Sequence, residues 1–244
     1  MSEKNFIYGI RPVIEAVKAG KNFDKVLINN KSSGELMSEL INTLKKHGVN
    51  FHYVPFEKLN RFTRQNHQGV IAIISPVPFF KLEYLIPGIF EKGEVPLIVI
   101  LDGVTDIRNF GAICRTCETA GVHAIVVPER GSAMISADAV KTSAGAIYNI
   151  PICKVNNLTK ETDFLKRSGL TIYAATEKAN KLYYSVDFTV PMAIIMGSEE
   201  KGINPSLLKI SDELIKIPIF GKTESLNVSV ATGIVLYEAV RQRL

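Results

Sequence analysis

Apolar residues come in two rhythms along this chain. Short runs such as 97–101, 193–196 and 214–219 read as strands buried on both faces. Between such runs, apolar positions recur every three or four residues, the spacing of one helix face. In the first third the pattern predicts helices over 11–19, 34–47 and 56–63, and strands over 25–28, 51–54 and 70–75. Beyond residue 96 it predicts strands over 97–101, 124–127, 150–154, 170–175, 193–196 and 214–217. Helices are predicted there over 112–120, 136–144, 159–167, 205–210 and 225–241. Strands alternating with helices build α/β layers around a mostly parallel sheet, so two α/β units are expected.

Between the two groups, residues 76–96 carry four of the eleven prolines and two glycines. Proline fixes φ and biases its predecessor away from helix, so this stretch reads as a connector with a short packed helical turn over 82–90. The expected organisation is an N-terminal domain over 1–76, a linker over 77–95 and a C-terminal domain over 96–244. The last helix is apolar around more than one face, through Leu226, Val230, Ile234, Val235, Leu236, Tyr237 and Val240. Such a helix buries against a partner as well as its own domain, and a homodimer is the expected partner.

Composition narrows the class. Of 244 residues, 46% are hydrophobic and 22% charged, which supplies a sizeable core and argues against disorder. The N-terminus has no apolar signal region and no apolar run is long enough for a bilayer, so a cytoplasmic protein is expected. The net charge of +5 is uneven: residues 1–95 hold 13 Lys and Arg against 9 Asp and Glu, and the remainder 16 against 15. That excess suits either a polyanion docking on the N-terminal part or a plain basic surface. Cys114 and Cys117 form a C-x-x-C, but inside a predicted helix and without a second ligand pair, so they read as packing thiols.

Several chemistries are excluded. No G-x-G-x-x-G follows a strand, so a dinucleotide fingerprint is missing. Gly221-Lys-Thr223 resembles the tail of a phosphate loop, but the leading glycine would fall on Lys216. No G-x-S-x-G elbow and no His/Asp/Glu cluster at metal-ligand spacing exist, so no metal is expected.

Three polar segments remain, each following a predicted strand. Asn109-x-Gly111 opens a helix with Arg115 further in, where bare helix N-terminal amides and a guanidinium would hold a phosphate or position an oxygen. Gly197-x-Glu199-x-x-Gly202 lets the backbone turn while a carboxylate projects. Ser225 can cap the last helix, with Asn227 pointing back toward the other loops. Three polar loops at strand ends are how an open α/β sheet builds a ligand crevice.

Together N-x-G-x-x-x-R, G-x-E-x-x-G and S-L-N-x-S, in this order, resemble the three motifs of the SpoU/TrmH family of RNA ribose 2′-O-methyltransferases, in the SPOUT superfamily. The resemblance covers residues 96–244. In the N-terminal part, Tyr8-Gly-Ile-Arg-Pro and His67-Gln-Gly-Val70 resemble weaker signatures of the small RNA-binding domain carried by one branch of the family. That branch includes the 23S rRNA guanosine 2′-O-methyltransferases acting on the P-loop of the peptidyl-transferase centre. The chain departs from the family at Ile107, where a proline often stands, and a local turn change is expected there.

The resemblance implies a C-terminal domain tied in a deep trefoil knot, S-adenosylmethionine (SAM) as cofactor, RNA as substrate and a homodimer. It implies that the backbone at Gly197, Ile217 and Leu226 holds the adenosine, with Thr176 at the pocket's edge. Arg115, supplied across the dimer, would orient the ribose hydroxyl and stabilise developing negative charge. Asn109 and Glu199 would fix Arg115 and the ribose, while Ser225 and Asn227 order the knot loop. The motifs do not encode the target nucleotide. A tRNA or another rRNA loop as substrate, a non-catalytic RNA-binding protein and a nicotinamide enzyme on an ordinary α/β sheet are the alternatives.

Overall fold

A computed structural model describes residues 6–244, so the first five residues of the expected N-terminal domain lie outside it. The chain forms two compact units. One runs to Pro78 and takes in Ile135–Ala137; the other comprises Phe79–Met134 and Asp138–Leu244.

The first unit contains β1 (Phe6–Tyr8), α1 (Ile10–Lys18), β2 (Phe23–Asn29), α2 (Glu35–Lys46), β3 (Phe51–Val54), α3 (Phe56–Asn60) and β4 (Val70–Ile74). Its sheet has the order β1-β4-β2-β3, with β4 antiparallel to both neighbours and β2 parallel to β3. Val13 and Val17 of α1 and Leu40 and Leu44 of α2 cover Val26, Ile28, Val70 and Ala72 of the sheet. Both weaker signatures lie at the entry to α1. Gln68, at φ 51°, accepts the Ile10 amide through its side-chain oxygen at 3.0 Å. The Gly9 amide reaches the Val70 carbonyl at 3.2 Å, and the Tyr8 hydroxyl bonds the Gln65 side chain. These residues brace the start of α1 against the approach to β4.

The second unit continues with α4 (Leu82–Glu91), β5 (Leu97–Asp102), α5 (Ile107–Thr119), β6 (Ala124–Pro128), α6 (Ala137–Thr142), β7 (Ile152–Val155) and α7 (Leu158–Arg167). It ends with β8 (Thr171–Ala175), β9 (Lys181–Leu182), β10 (Met192–Gly197), α8 (Pro205–Ile210), β11 (Glu213–Lys216) and α9 (Val228–Arg243). The seven strands take the order β7-β6-β5-β10-β8-β11-β9, and every pair is parallel. Central β5 and β10 pair from Leu97↔Met192 to Asp102↔Gly197. Ile98, Ile100, Ala193 and Ile195 fill one core layer, while alternate residues Val99, Leu101, Ile194 and Met196 are buried as well. Burial of both faces explains why these strands are uninterrupted apolar runs in the sequence.

Several elements differ from the pattern. The connector holds a ten-residue helix, α4, whose Leu82, Ile86 and Ile89 join the core of the second unit. Helix α5 starts five residues earlier than predicted, and α9 begins at Val228, three residues past Ser225. Strands β1 and β9, of three and two residues, are too short for periodicity to register.

Candidate active site

Because the strands are parallel, the loops after β5, β8, β10 and β11 all leave the same edge of the sheet. The β5 loop is anchored at both ends. Asp102 accepts the Asn204 amide at 2.7 Å through Oδ2, which ties β5 to the chain after β10. Asp106 caps α5, its Oδ1 accepting the Asn109 amide at 2.8 Å. That cap corrects one expectation: the first turn of α5 is not a bare anion cradle, since a carboxylate already occupies it. Ile107 takes the first helical position, where a proline loses no hydrogen bond, so the departure at this residue leaves the cap intact.

The two motif glycines serve close approach. Gly111 lies within α5, not before it, and a Cβ there would sit 2.5 Å from Thr142 Cβ and 3.0 Å from the Ser143 nitrogen. A Cβ at Gly197 would fall within 2.6 Å of three backbone atoms of Gly202 and Ile203. The tight return is closed by Ser198 and Gly202, whose amides each donate to the other's carbonyl, at 3.2 and 2.9 Å. Glu199 projects from its tip.

The three motifs meet in one hydrogen-bonded clasp. Asn227 Nδ2 donates to Glu199 Oε1 at 2.6 Å and to Asn109 Oδ1 at 3.0 Å. Asn109 Nδ2 donates to the same Glu199 oxygen at 3.2 Å, and the Val228 amide does so at 3.3 Å. The Oδ1 of Asn227 simultaneously caps α9, accepting the Ser229 amide at 3.0 Å and the Ser229 hydroxyl at 2.6 Å. Asn227, not Ser225, is therefore the cap, and Ser225 sits exposed in the preceding loop. An asparagine suits this place because one end accepts while the other donates.

Beside the clasp lies a cavity of about 360 Å³. Thr176, Gly197, Ile217 and Leu226 all line it, together with Glu199 and Ser225; Asn109, Arg115 and Asn227 do not. Its size falls in the range of small-molecule sites, roughly 300–1,000 Å³. Met196, Ile203 and Leu208 supply an apolar wall, while Glu177, Glu200 and Glu224 oppose Lys178 and Lys201. Among the described residues, the main chain of 218–226 makes no backbone–backbone hydrogen bond, which leaves its amides and carbonyls available to a ligand. An apolar slot with free backbone polar groups and surplus carboxylates fits a nucleoside carrying a cationic sulfonium. The Thr176 amide donates to the Ile215 carbonyl at 2.9 Å, holding the cavity edge to β11.

Arg115 stands apart from this cluster. It is exposed on α5 and makes no side-chain hydrogen bond or ion pair among the described residues, so Asn109 and Glu199 fix each other and Asn227, not the guanidinium. Helices α5 and α9 pack together, and Ala112, Thr116, Val230, Gly233, Ile234 and Tyr237 line a shallow groove along them. Val235 and Leu236 of α9 are buried, whereas Val230 and Tyr237 are about half exposed at 52% and 51%. The three cysteines are buried, and burial pushes their thiols up, Cys153 to about 12. None can act as a thiolate. Among the described residues no group of His, Cys, Asp and Glu could hold a metal, and no helix is long and apolar enough to cross a membrane.

Sequence reasoning missed Asp102 and Asp106. A signal existed for each: an aspartate closing an apolar strand before a glycine, and a capping residue just ahead of an apolar helical position.

Comparison with known proteins gives a consistent result. The model of the SpoU rRNA Methylase family matches residues 96–237, and that of RNA 2′-O ribose methyltransferase substrate binding matches residues 6–80. The chain is 37% identical over 245 residues to the 23S rRNA (guanosine-2′-O-)-methyltransferase RlmB of Escherichia coli K12, with 100% of both chains covered. The structure resembles an AdoMet-bound rRNA methyltransferase from Sinorhizobium meliloti, with TM-score 0.63, 26% identity and coverage of 98% of this chain and 87% of that one. It also resembles the TrmH/SpoU tRNA modifying enzyme of A. aeolicus, with TM-score 0.57 and 36% identity, over 62% of this chain and 76% of that one.

Proposed function

The chain belongs to the SpoU rRNA methylase family, and we propose that it methylates the ribose 2′-hydroxyl of a guanosine in the P-loop of 23S rRNA. It is an S-adenosylmethionine-dependent RNA ribose 2′-O-methyltransferase. The Asn109–Glu199–Asn227 clasp carries this reading for the site, because it draws all three motifs around one cavity of suitable size and lining.

Bound in the cavity, S-adenosylmethionine supplies a methyl group already activated on a sulfonium. The chain's own work is positioning and charge management. Backbone at Gly197, Ile217 and Leu226 would hold the adenosine, with Thr176 at the edge and Ser225 ordering the loop. Glu199, held by Asn109 and Asn227, keeps the walls of the cavity in register and would contribute negative charge to a cavity that takes a cationic cofactor. Arg115 would orient the 2′-hydroxyl, contact the neighbouring phosphate and stabilise the negative charge that develops on the oxygen as its proton passes to solvent water. A guanidinium does not deprotonate in proteins, so Arg115 acts as a cation and not as the base.

The exposed, unpaired Arg115 beside a half-exposed apolar groove supports a homodimer in which α5 and α9 meet a second copy, each copy lending Arg115 to the other's site. The clasp draws the chain after β11 back across the ends of β10 and β5, a course that suits a knotted C-terminal segment. The N-terminal domain over 1–76 holds the RNA, residues 77–95 connect the domains, and 96–244 carry out catalysis. A ribosomal RNA substrate supports a cytoplasmic enzyme.

The test is transfer of radiolabelled methyl from S-adenosylmethionine to unmodified total RNA, fractionated afterwards. Label in large-subunit rRNA is expected. Label in tRNA would keep the chemistry and reassign the substrate, and an absence of both binding and transfer would reject the function.

A further inference from the structure

The loop between β11 and α9 carries an aromatic side chain that makes no ring or cation-π contact among the described residues. Phe220 is 96% exposed, and Ile219 and Leu226 on the same loop are 39% and 38% exposed. Ile219 and Leu226 line the cavity, whereas Phe220 does not, so its ring stands outside an apolar lip. Consecutive Cα atoms lie about 3.8 Å apart, which keeps Phe220 next to the rim marked by Ile219. Two residues on, exposed Lys222 makes no hydrogen bond or ion pair among the described residues. An isolated exposed aromatic would carry little meaning, but this one shares its loop with cavity-lining residues and an unpaired cation.

We infer that Phe220 is a stacking platform for the base of the nucleotide being methylated, with Lys222 contacting the flanking phosphate. This rests on the methyltransferase reading of the cavity. The 2′-hydroxyl is borne by C2′ and the base by C1′, adjacent atoms of one ring. A hydroxyl presented at the cavity mouth therefore puts its base against the rim of the same mouth. Proteins that read single-stranded RNA stack splayed-out bases on aromatic faces. Phe220 supplies the face, and its neighbouring lysine complements the phosphate charge.

The test compares wild type, Phe220→Ala and Phe220→Tyr with a 23S rRNA transcript as substrate. In Phe220→Ala the KM for RNA rises about ten- to a hundredfold, the loss of one base stack, while affinity for S-adenosylmethionine stays within about twofold. Phe220→Tyr behaves as wild type. A 2-aminopurine at the mapped target position is quenched by wild type and Phe220→Tyr but not by Phe220→Ala. Unchanged KM and quenching in Phe220→Ala overturn the platform, as does a matching loss of cofactor affinity or a shift in sedimentation. Methyl transfer by wild type shows that the underlying function stands in those cases. No transfer by wild type overturns that function and the platform together.

Discussion

Asn227 and Glu199, 28 residues apart in the chain, are joined by a 2.6 Å hydrogen bond that closes the β10 loop against the start of α9. The same asparagine caps that helix with its other end, so folding and site assembly share one residue. The two duties can be separated. Serine caps a helix well but cannot donate to both Glu199 and Asn109 from that position. Asn227→Ser should unfold near wild type while S-adenosylmethionine affinity drops by about 1.5–3 kcal/mol, the worth of a bond to a charged group. Asn227→Asp keeps the cap and sets two carboxylates together, so it should bind more weakly still. Calorimetric titration beside thermal melts checks both.

Gly197→Ala tests the tight return of the β10 loop. A methyl there meets backbone and not a flexible side-chain tip, so the loop must open. A loss of about 1–3 kcal/mol in stability is expected, with cofactor binding falling at least tenfold. An alanine variant with wild-type affinity would show that the loop tolerates reshaping.

Arg115 should matter to turnover and not to cofactor binding. Arg115→Ala is expected to lower kcat by about 10²–10³, as loss of one charge-stabilising donor does. Cofactor affinity should be unchanged, since Arg115 lies outside the cavity lining.

Donation of Arg115 between protomers predicts complementation. Arg115→Ala and Glu199→Gln are each inactive as homodimers, but a heterodimer has one complete site. Equal mixtures, re-equilibrated, should recover about a quarter of wild-type activity, since half the dimers carry one of two sites. Recovery indistinguishable from zero would place Arg115 in its own protomer's site.

His123 gives a pH dependence unrelated to catalysis. Its Nδ1 accepts the Leu97 amide at 3.0 Å, and burial holds its pKa below the ordinary 6.5 despite Glu94 at 3.3 Å. The unfolded chain therefore binds the proton more readily between the folded value and 6.5, and stability falls as pH drops through that window. Melts between pH 7.5 and 5.5 should show this slope, and His123→Asn, which can still accept from Leu97, should flatten it.

The sequence exposed those parts of the fold whose physics is local. Strands β5 and β10 stand out because burial on both faces demands continuous apolar residues, and Gly197 because only a glycine fits its return. The motif residues Asn109, Glu199 and Asn227 were found, but not their mutual bonds, which join positions up to 118 residues apart. Ser225 was mistaken for the cap because serine and asparagine serve that place equally well, and only the return of the chain to Glu199 decides between them. The sequence pattern puts Gly111 at the opening of a helix rather than inside one, because its close contact with Thr142 leaves no trace in local periodicity. The exposure of Phe220 leaves no mark in the sequence, since it is a tertiary property.

The position of the transferred methyl group tests the proposed activity most directly. 23S rRNA lacking the modification would be incubated with the protein and S-adenosylmethionine, then mapped for alkali-resistant linkages that mark blocked 2′-hydroxyls. A single new 2′-O-methylguanosine in the P-loop, absent with Glu199→Gln, is the predicted result. Methylation on a base, or no modified nucleotide despite bound cofactor, would contradict it.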